Sequence, residues 1–292
     1  MFRAPRNSQT MMIERRMQLS PYAPARALIA LALVVALAQP AASQAYKETF
    51  NTGIETARAG NLDEARGLFM QAASGADAES DAAVARRARD LATKIDYKLG
   101  KAAFDNENYE VAITYFDRGI EADASYTNNQ HMKGLALKRL DRIEEAMTVW
   151  SALLENSDRA AVNRASDAIR DHYHFAASTA ISRNGAAATE EDASEALAAL
   201  ETMMGYGIEA DADTYYYQAE AAKIIGDYAQ AVTLADQAIE IHRGSLTDKA
   251  KLYFVKGESL MYSGDTAGAK EAFAGATYGQ YKASAEHWIE TL

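Results

Sequence analysis

The sequence predicts an all-α fold built from repeated helix hairpins, and three observations carry that prediction. Pro5, Pro21, Pro24 and Pro40 are the only prolines among 292 residues. Nothing between Ala41 and Leu292 therefore forbids long helices. Alanine supplies 51 of the 247 residues after Ala45, a composition that favours helices packed at close range. Finally, one nine-residue pattern occurs six times: NLDEARGLF from Asn61, NYEVAITYF from Asn108, RIEEAMTVW from Arg142, DASEALAAL from Asp192, DYAQAVTLA from Asp227 and DTAGAKEAF from Asp265. Self-similarity at intervals of a few tens of residues is the mark of a repeat architecture.

Taken in chain order, the first element is a secretory leader over residues 1–45. Arg26 precedes twelve apolar residues, Ala27 to Ala38, and then Gln39-Pro40-Ala41-Ala42-Ser43-Gln44-Ala45. A positive region, a short apolar run, a helix breaker and small residues form the order that signal peptidase reads. Twelve residues are too few for a bilayer, which needs about 17 to 25. Ser43 and Ala45 set the preferred cut after Ala45, with a cut after Ala38 as the alternative; Met17 offers a later start that gives a leader of ordinary length. An uncleaved anchor is the competing reading. Arg15-Arg16 resembles a twin-arginine signal only in that pair. Removal of five Arg and one Glu takes the net charge from −11 to −15.

Six units follow, expected over residues 46–79, 81–126, 127–158, 159–210, 212–245 and 250–277, with a cap over 281–292. The fifth residue of every copy is Ala: Ala65, Ala112, Ala146, Ala196, Ala231 and Ala269. The ninth is large in five copies (Phe69, Phe116, Trp150, Leu200, Phe273) and is Ala235 in the other. Twelve residues before the alanine stand Gly53, Gly100, Gly134, Ala219 and Gly257, with Asn184 breaking the series; five before it stand Gly60, Gly226 and Gly264, where a tight turn needs tolerance of positive φ.

The pattern resembles the tetratricopeptide repeat, with a helix A carrying a small residue, a short turn, and a helix B carrying a packing Ala and an aromatic. Intervals between the packing alanines are 47, 34, 50, 35 and 38 residues. The resemblance implies a right-handed α-solenoid of about six hairpins. The long intervals predict two extended helices. One runs from about Asp81 through Asp105 with an apolar stripe of Ala85, Leu91, Ile95, Leu99 and Ala102. The other runs from about Arg159 to Ser182, before a loop at Asn184-Gly185. Ala124 stands where the family often has proline. Tyr281, Ala285, Trp288, Ile289 and Leu292 fall on one helical face and read as the terminal cap.

Chemistry is expected to be absent. Without cysteine there is no disulfide, thiolate metal site, cysteine nucleophile or lipidated N-terminal Cys. The acidic balance excludes bulk nucleic-acid binding. No catalytic motif appears, and no cofactor or metal is expected. His172 and His174 are spaced so that their rings leave the helix on different faces. Thr189-Glu190-Glu191-Asp192 reads as a helix N-terminus. Tyr215-Tyr216-Tyr217 reads as inter-helix packing. The 209–213 acidic run lacks the glycine and end carboxylate of a calcium loop.

The resemblance implies a partner-binding groove lined by the second, fifth, ninth, twelfth and thirteenth places of helix A. The fifth place carries Phe50, Tyr97, His131, Tyr216 and Phe254. The second and third units add Lys94, Lys101, Phe104, Asn128, Lys138 and Arg139, with Lys98 on the adjoining edge. Lysines at 94, 98 and 101 share a face at i, i+4, i+7. Set in an acidic chain, these basic residues beside aromatic rings predict a local positive site for a peptide carboxylate or acidic segment. Against this, surface lysines serve solubility and the rings can pack on the neighbouring helix. The expected function is a non-catalytic interaction scaffold, exported to the periplasm, without nucleic acid or membrane insertion. A structural subunit of an envelope assembly, working through its convex face or cap, and a helical accessory to a cell-wall enzyme are the other readings.

Overall fold

The structure is a computed structural model and describes residues 44–292. All of the leader except its last two residues lies outside the described residues. Among the described residues every regular element is a helix. Helix α1 spans 44–58 and α2 Leu62–Ala78; α3 (Ala82–Asp105) precedes α4 (Tyr109–Ala122), and α5 (Asn128–Arg139) precedes α6 (Ile143–Leu154). Then come α7 (Arg159–Ser182), α8 (Glu190–Gly205), α9 (Ala212–Ile225), α10 (Tyr228–Ile241), α11 (Leu246–Tyr262), α12 (Thr266–Gly275) and α13 (Lys282–Thr291). Both extended helices, α3 and α7, are present. The residues form two compact units whose boundary falls inside α3, between Ile95 and Asp96.

In the first unit, the rings of Phe50 on α1 and Phe69 on α2 meet edge to face at 5.4 Å. Tyr46 packs against Ala76 and Ala85, and its hydroxyl donates to Asp81 at 2.9 Å. Ala85, Ala88, Ala92 and Ile95 form the buried stripe of α3 in this unit.

The second unit stacks consecutive hairpins, each helix packing on the one before and the one after it. Its core repeats one contact. A small residue on the first helix of a hairpin lies under the large residue at the ninth place of the pattern. Gly134 shows why the residue must be small: a Cβ there would sit 2.3 Å from Trp150 Nε1. Trp150 is fully buried, and its indole N–H donates to the His131 carbonyl at 3.3 Å. Gly100 under Phe116 and Gly257 under Phe273 repeat the arrangement. All six packing alanines are fully buried across the two units. Ala102, expected on the apolar stripe of α3, is exposed; the helix turns that face outward where Gly100 takes up the contact with α4.

Turns obey the same register. Gly60, Gly226 and Gly264 adopt φ near +90°, and the residues five before Ala112 and Ala146, Glu107 and Asp141, adopt φ of 62° and 59° without being glycine. The fourth hairpin departs, as the 50-residue interval requires. A 3₁₀ turn at Gly185–Ala187 follows α7, and α8 opens with a capping box in which Thr189 and Asp192 satisfy each other's backbone N–H. With Asn184 in the loop, the small residues facing Ala196 and Leu200 are Ala177 and Ala180. Ala177 therefore fills the place that Gly134 fills in the third hairpin, and its fifth-place residue is His174. At the C-terminus Tyr281, Ala285, Trp288, Ile289 and Leu292 pack on Phe273 and Ala276, so α13 covers the last hairpin.

Two outcomes follow for stability, measured by urea unfolding. Trp150→Ala costs about 3 to 5 kcal/mol, as for other large buried side chains. Gly134→Ala alone costs about 1 to 3 kcal/mol by overpacking. Added to Trp150→Ala, the same glycine change becomes stabilising by up to about 1 kcal/mol, because only the helix preference for Ala remains.

Candidate functional site

The candidate site is the helix-A row of the second unit, where the fifth places carry Tyr97, His131, His174, Tyr216 and Phe254. These rings are not free platforms. Tyr97 packs against Phe116 and Tyr126 at 6.4 and 5.7 Å, and Phe254 against Phe273 and Tyr281 at 5.4 and 5.1 Å. Phe104 meets Tyr109 edge to face. Each ring thus fills a wedge between helices and offers only its remaining edge. In the first unit Phe50 is buried, with the guanidinium of Arg87 over its ring at 5.4 Å.

The predicted basic residues divide into two groups. In the first unit, Lys94 pairs with Asp90 one turn earlier at 2.9 Å. In the second, Lys101 pairs with Asp105 one turn later at 2.7 Å. Both ammoniums are half exposed and already neutralised within their own helix. Among the described residues, Lys98, Lys138 and Arg139 have no carboxylate within ion-pair distance. Asn128 is half-buried at the start of α5.

Helix α7 supplies what sequence reasoning missed. Arg164, on its extended N-terminal part, donates to Thr127 Oγ1 at 3.1 Å. Among the described residues it has no carboxylate partner, unlike Arg118, Arg142, Arg170 and Arg183, and its Nε has no acceptor. His131 faces it from α5. Burial first, then the charge of Arg164, lowers the His131 pKa, with Asp167 opposing. Its Nδ1 is likewise without a partner. The pKa of His172 is lowered by burial and by Lys138. Helices α5 and α7 therefore carry Lys138, Arg139 and Arg164 without a carboxylate partner, together with the imidazoles of His131 and His172, while Asp167 is engaged by Arg170 at 3.1 Å.

Helices α9 and α11 show the opposite character. Lys251 Nζ lies 2.7 Å from Asp213 and 4.8 Å from the centre of the Tyr216 ring. Lys223 lies 2.6 Å from Glu258 and 2.9 Å from Glu220. Burial, then the charge of Glu220, raises the Tyr216 hydroxyl pKa. The register predicts these positions as the second, fifth, ninth and twelfth places of the last two hairpins. His174 joins the row from α7: its Nε2 lies 2.8 Å from Thr214 Oγ1, inside the capping box that opens α9. Among the described residues no group of three or more His, Asp or Glu could hold a metal, and no helix is long and apolar enough to cross a membrane.

Comparison with known proteins agrees with this register locally. A family profile described as the tetratricopeptide repeat matches residues 97–126, the hairpin that holds Tyr97, Lys98, Lys101 and Phe104. No curated protein matches the sequence. Among solved structures, MamA from Desulfovibrio magneticus is 16% identical over 63% of this chain and 93% of its own, with a TM-score of 0.37. A tetratricopeptide repeat protein from Parabacteroides merdae is 13% identical over 85% of this chain and 98% of its own, with a TM-score of 0.31. A thermophilic protein of the same description from Thermus thermophilus is 14% identical over 68% and 99%, with a TM-score of 0.30.

Proposed function

We propose that the protein is a non-catalytic interaction scaffold that holds an extended or helical segment of a partner protein along the helix-A row, with a carboxylate of that segment on Arg164 and His131. The observation that carries this reading is the state of Arg164. The Nε of Arg164 is closed off from solvent, but this half-buried guanidinium has no carboxylate partner and its terminal amino groups keep a fixed planar arrangement suited to a carboxylate. Lys138 and Arg139 extend the positive surface along α5. The chain as a whole is acidic, so this local field distinguishes an acidic segment from the rest of the surface. Tetratricopeptide repeats in general serve protein–protein interaction, and the paired rings leave edges on which such a segment rests.

The same reading has the protein exported to the periplasm. Support comes from the order of charge, apolar run, proline and small residues before Tyr46. A cut after Ala45 also keeps the Tyr46 hydroxyl bond to Asp81 intact. Sequencing of the exported chain is expected to begin at Tyr46; a start upstream of Ala27 contradicts the leader.

The carboxylate site is tested with a fluorescein-labelled oligoglutamate peptide, read by anisotropy. Arg164→Glu weakens binding by at least about tenfold, whereas Lys94→Glu, whose ammonium already rests on Asp90, changes it by less than about twofold. A bound carboxylate favours the imidazolium form of His131 over the neutral form. Because burial and Arg164 lower the pKa of free His131, binding tightens as pH falls toward values below the ordinary histidine range, and His131→Gln flattens that dependence. Equal losses in the two charge reversals would overturn the assignment.

A further inference from the structure

Beside the Glu220–Lys223–Glu258 triad lies a cavity of about 340 Å³, bounded by α9, α11, the start of α10 and the end of the fourth hairpin's first helix at Ile181. Two carboxylates share one ammonium there, so with all three groups ionised the triad carries a net charge of −1. The side chains are about 15 to 21% exposed, which leaves the charge only partly hydrated. On the same cavity wall the rings of Tyr228 and Tyr262 stack at 5.6 Å with 29° between planes, and Tyr262 is 57% exposed. An exposed stacked pair beside unbalanced carboxylates presents π faces and negative charge to one small volume.

We infer that this cavity receives a cationic side chain, the ammonium of a lysine or the guanidinium of an arginine, from the bound segment. The inference rests on the scaffold reading and adds a second, oppositely charged contact to it. The molecule already contains the arrangement required. About two turns earlier on the same two helices, Lys251 sits with its ammonium on Asp213 and over the face of Tyr216, so a cation between a carboxylate and a tyrosine ring is a geometry these helices support. An incoming anion would meet two carboxylates whose only cation is shared, and a purely apolar group would desolvate the triad without compensation. A metal ion would have to displace Lys223 from between the two glutamates. Burial, and to a smaller degree the charge of Glu258, raises the pKa of Glu220 against the pull of Lys223.

With the donor-rich surface on α5 and α7 and this cavity on α9 and α11, the row distinguishes the two ends of a segment by charge. A partner carrying its acidic residue toward the third hairpin and its basic residue toward the sixth binds in one direction only.

The test uses the full chain, selectively labelled at tyrosine for NMR, titrated with Nα-acetyl-arginine methylamide and, separately, with its neutral glutamine counterpart. The arginine probe is expected to shift the Tyr228 and Tyr262 signals saturably, and the glutamine probe is expected not to. Glu258→Gln weakens the arginine response by at least about fivefold, while Lys223→Met strengthens it by a similar factor, since the two changes move the local charge in opposite directions. Circular dichroism confirms that both variants keep their helix content; Tyr262→Ala, which leaves the charges untouched, gives an independent loss. Equal responses to the two probes, or weakening in both charge variants, overturn the inference. Nα-acetyl-aspartate methylamide serves as a separate probe of the Arg164 surface. Failure there with success here would sink the carboxylate assignment while leaving the cationic pocket standing.

Discussion

Most of the second unit, the fifth hairpin with Ala219 and Ala235 excepted, depends on one contact, the fit of a residue without a side chain, or nearly so, under a large buried one. Gly134 and Trp150 define it, and the helices can approach only because the indole occupies the space a Cβ would take. Close approach brings the neighbouring alanine on the second helix to full burial and fixes which face of the first helix is left over. That leftover face is the row carrying Tyr97, His131, His174, Tyr216 and Phe254. The position of the binding surface is thus a consequence of core packing, and its rings share in that packing, Tyr97 with Phe116 and Phe254 with Phe273.

Most of this was legible in the sequence, because the contact needs particular residue sizes at fixed spacing. The packing alanines with a small residue twelve places before them mark five hairpins, four of which also carry the large ninth residue of the pattern. Even Glu107 and Asp141 obey the turn rule by adopting positive φ without being glycine. The fourth hairpin was not legible in the same way. Counting back from Ala196 lands on Asn184, which lies in a loop, while the residues that make the contact are Ala177 and Ala180. A lengthened loop breaks the count without breaking the packing. The error hid His174 as a fifth-place residue and Arg164 as a neighbour of His131. The pattern of alanines followed by Ile181 just before Asn184-Gly185 was the available signal.

Charge was harder to read than shape. Lysines at 94, 98 and 101 share a helical face, yet two of them lie beside acids at i−4 and i+4 and are neutralised there. Net charge counts every ion; a site depends on those left without a partner. On that criterion the positive character shifts from the second hairpin to α5 and α7, and the last hairpins gather a carboxylate-rich, tyrosine-lined cavity. The pairs of Lys94 and Lys101 lie at helical spacing and are readable from it, whereas the pairs of Lys223 with Glu258 and of Lys251 with Asp213 join different helices, on which propensity and periodicity contain no information.

The most direct test of the account is a crosslink map of a bound partner segment, obtained with a photo-reactive amino acid placed in turn at Lys138 and at Tyr262 and read by mass spectrometry. Both positions are expected to capture the same segment, Lys138 near its acidic residues and Tyr262 near its basic ones. Capture instead from second-helix positions such as Val111 and Glu240, with none from Lys138 or Tyr262, would contradict the claim that the helix-A row is the surface the protein uses.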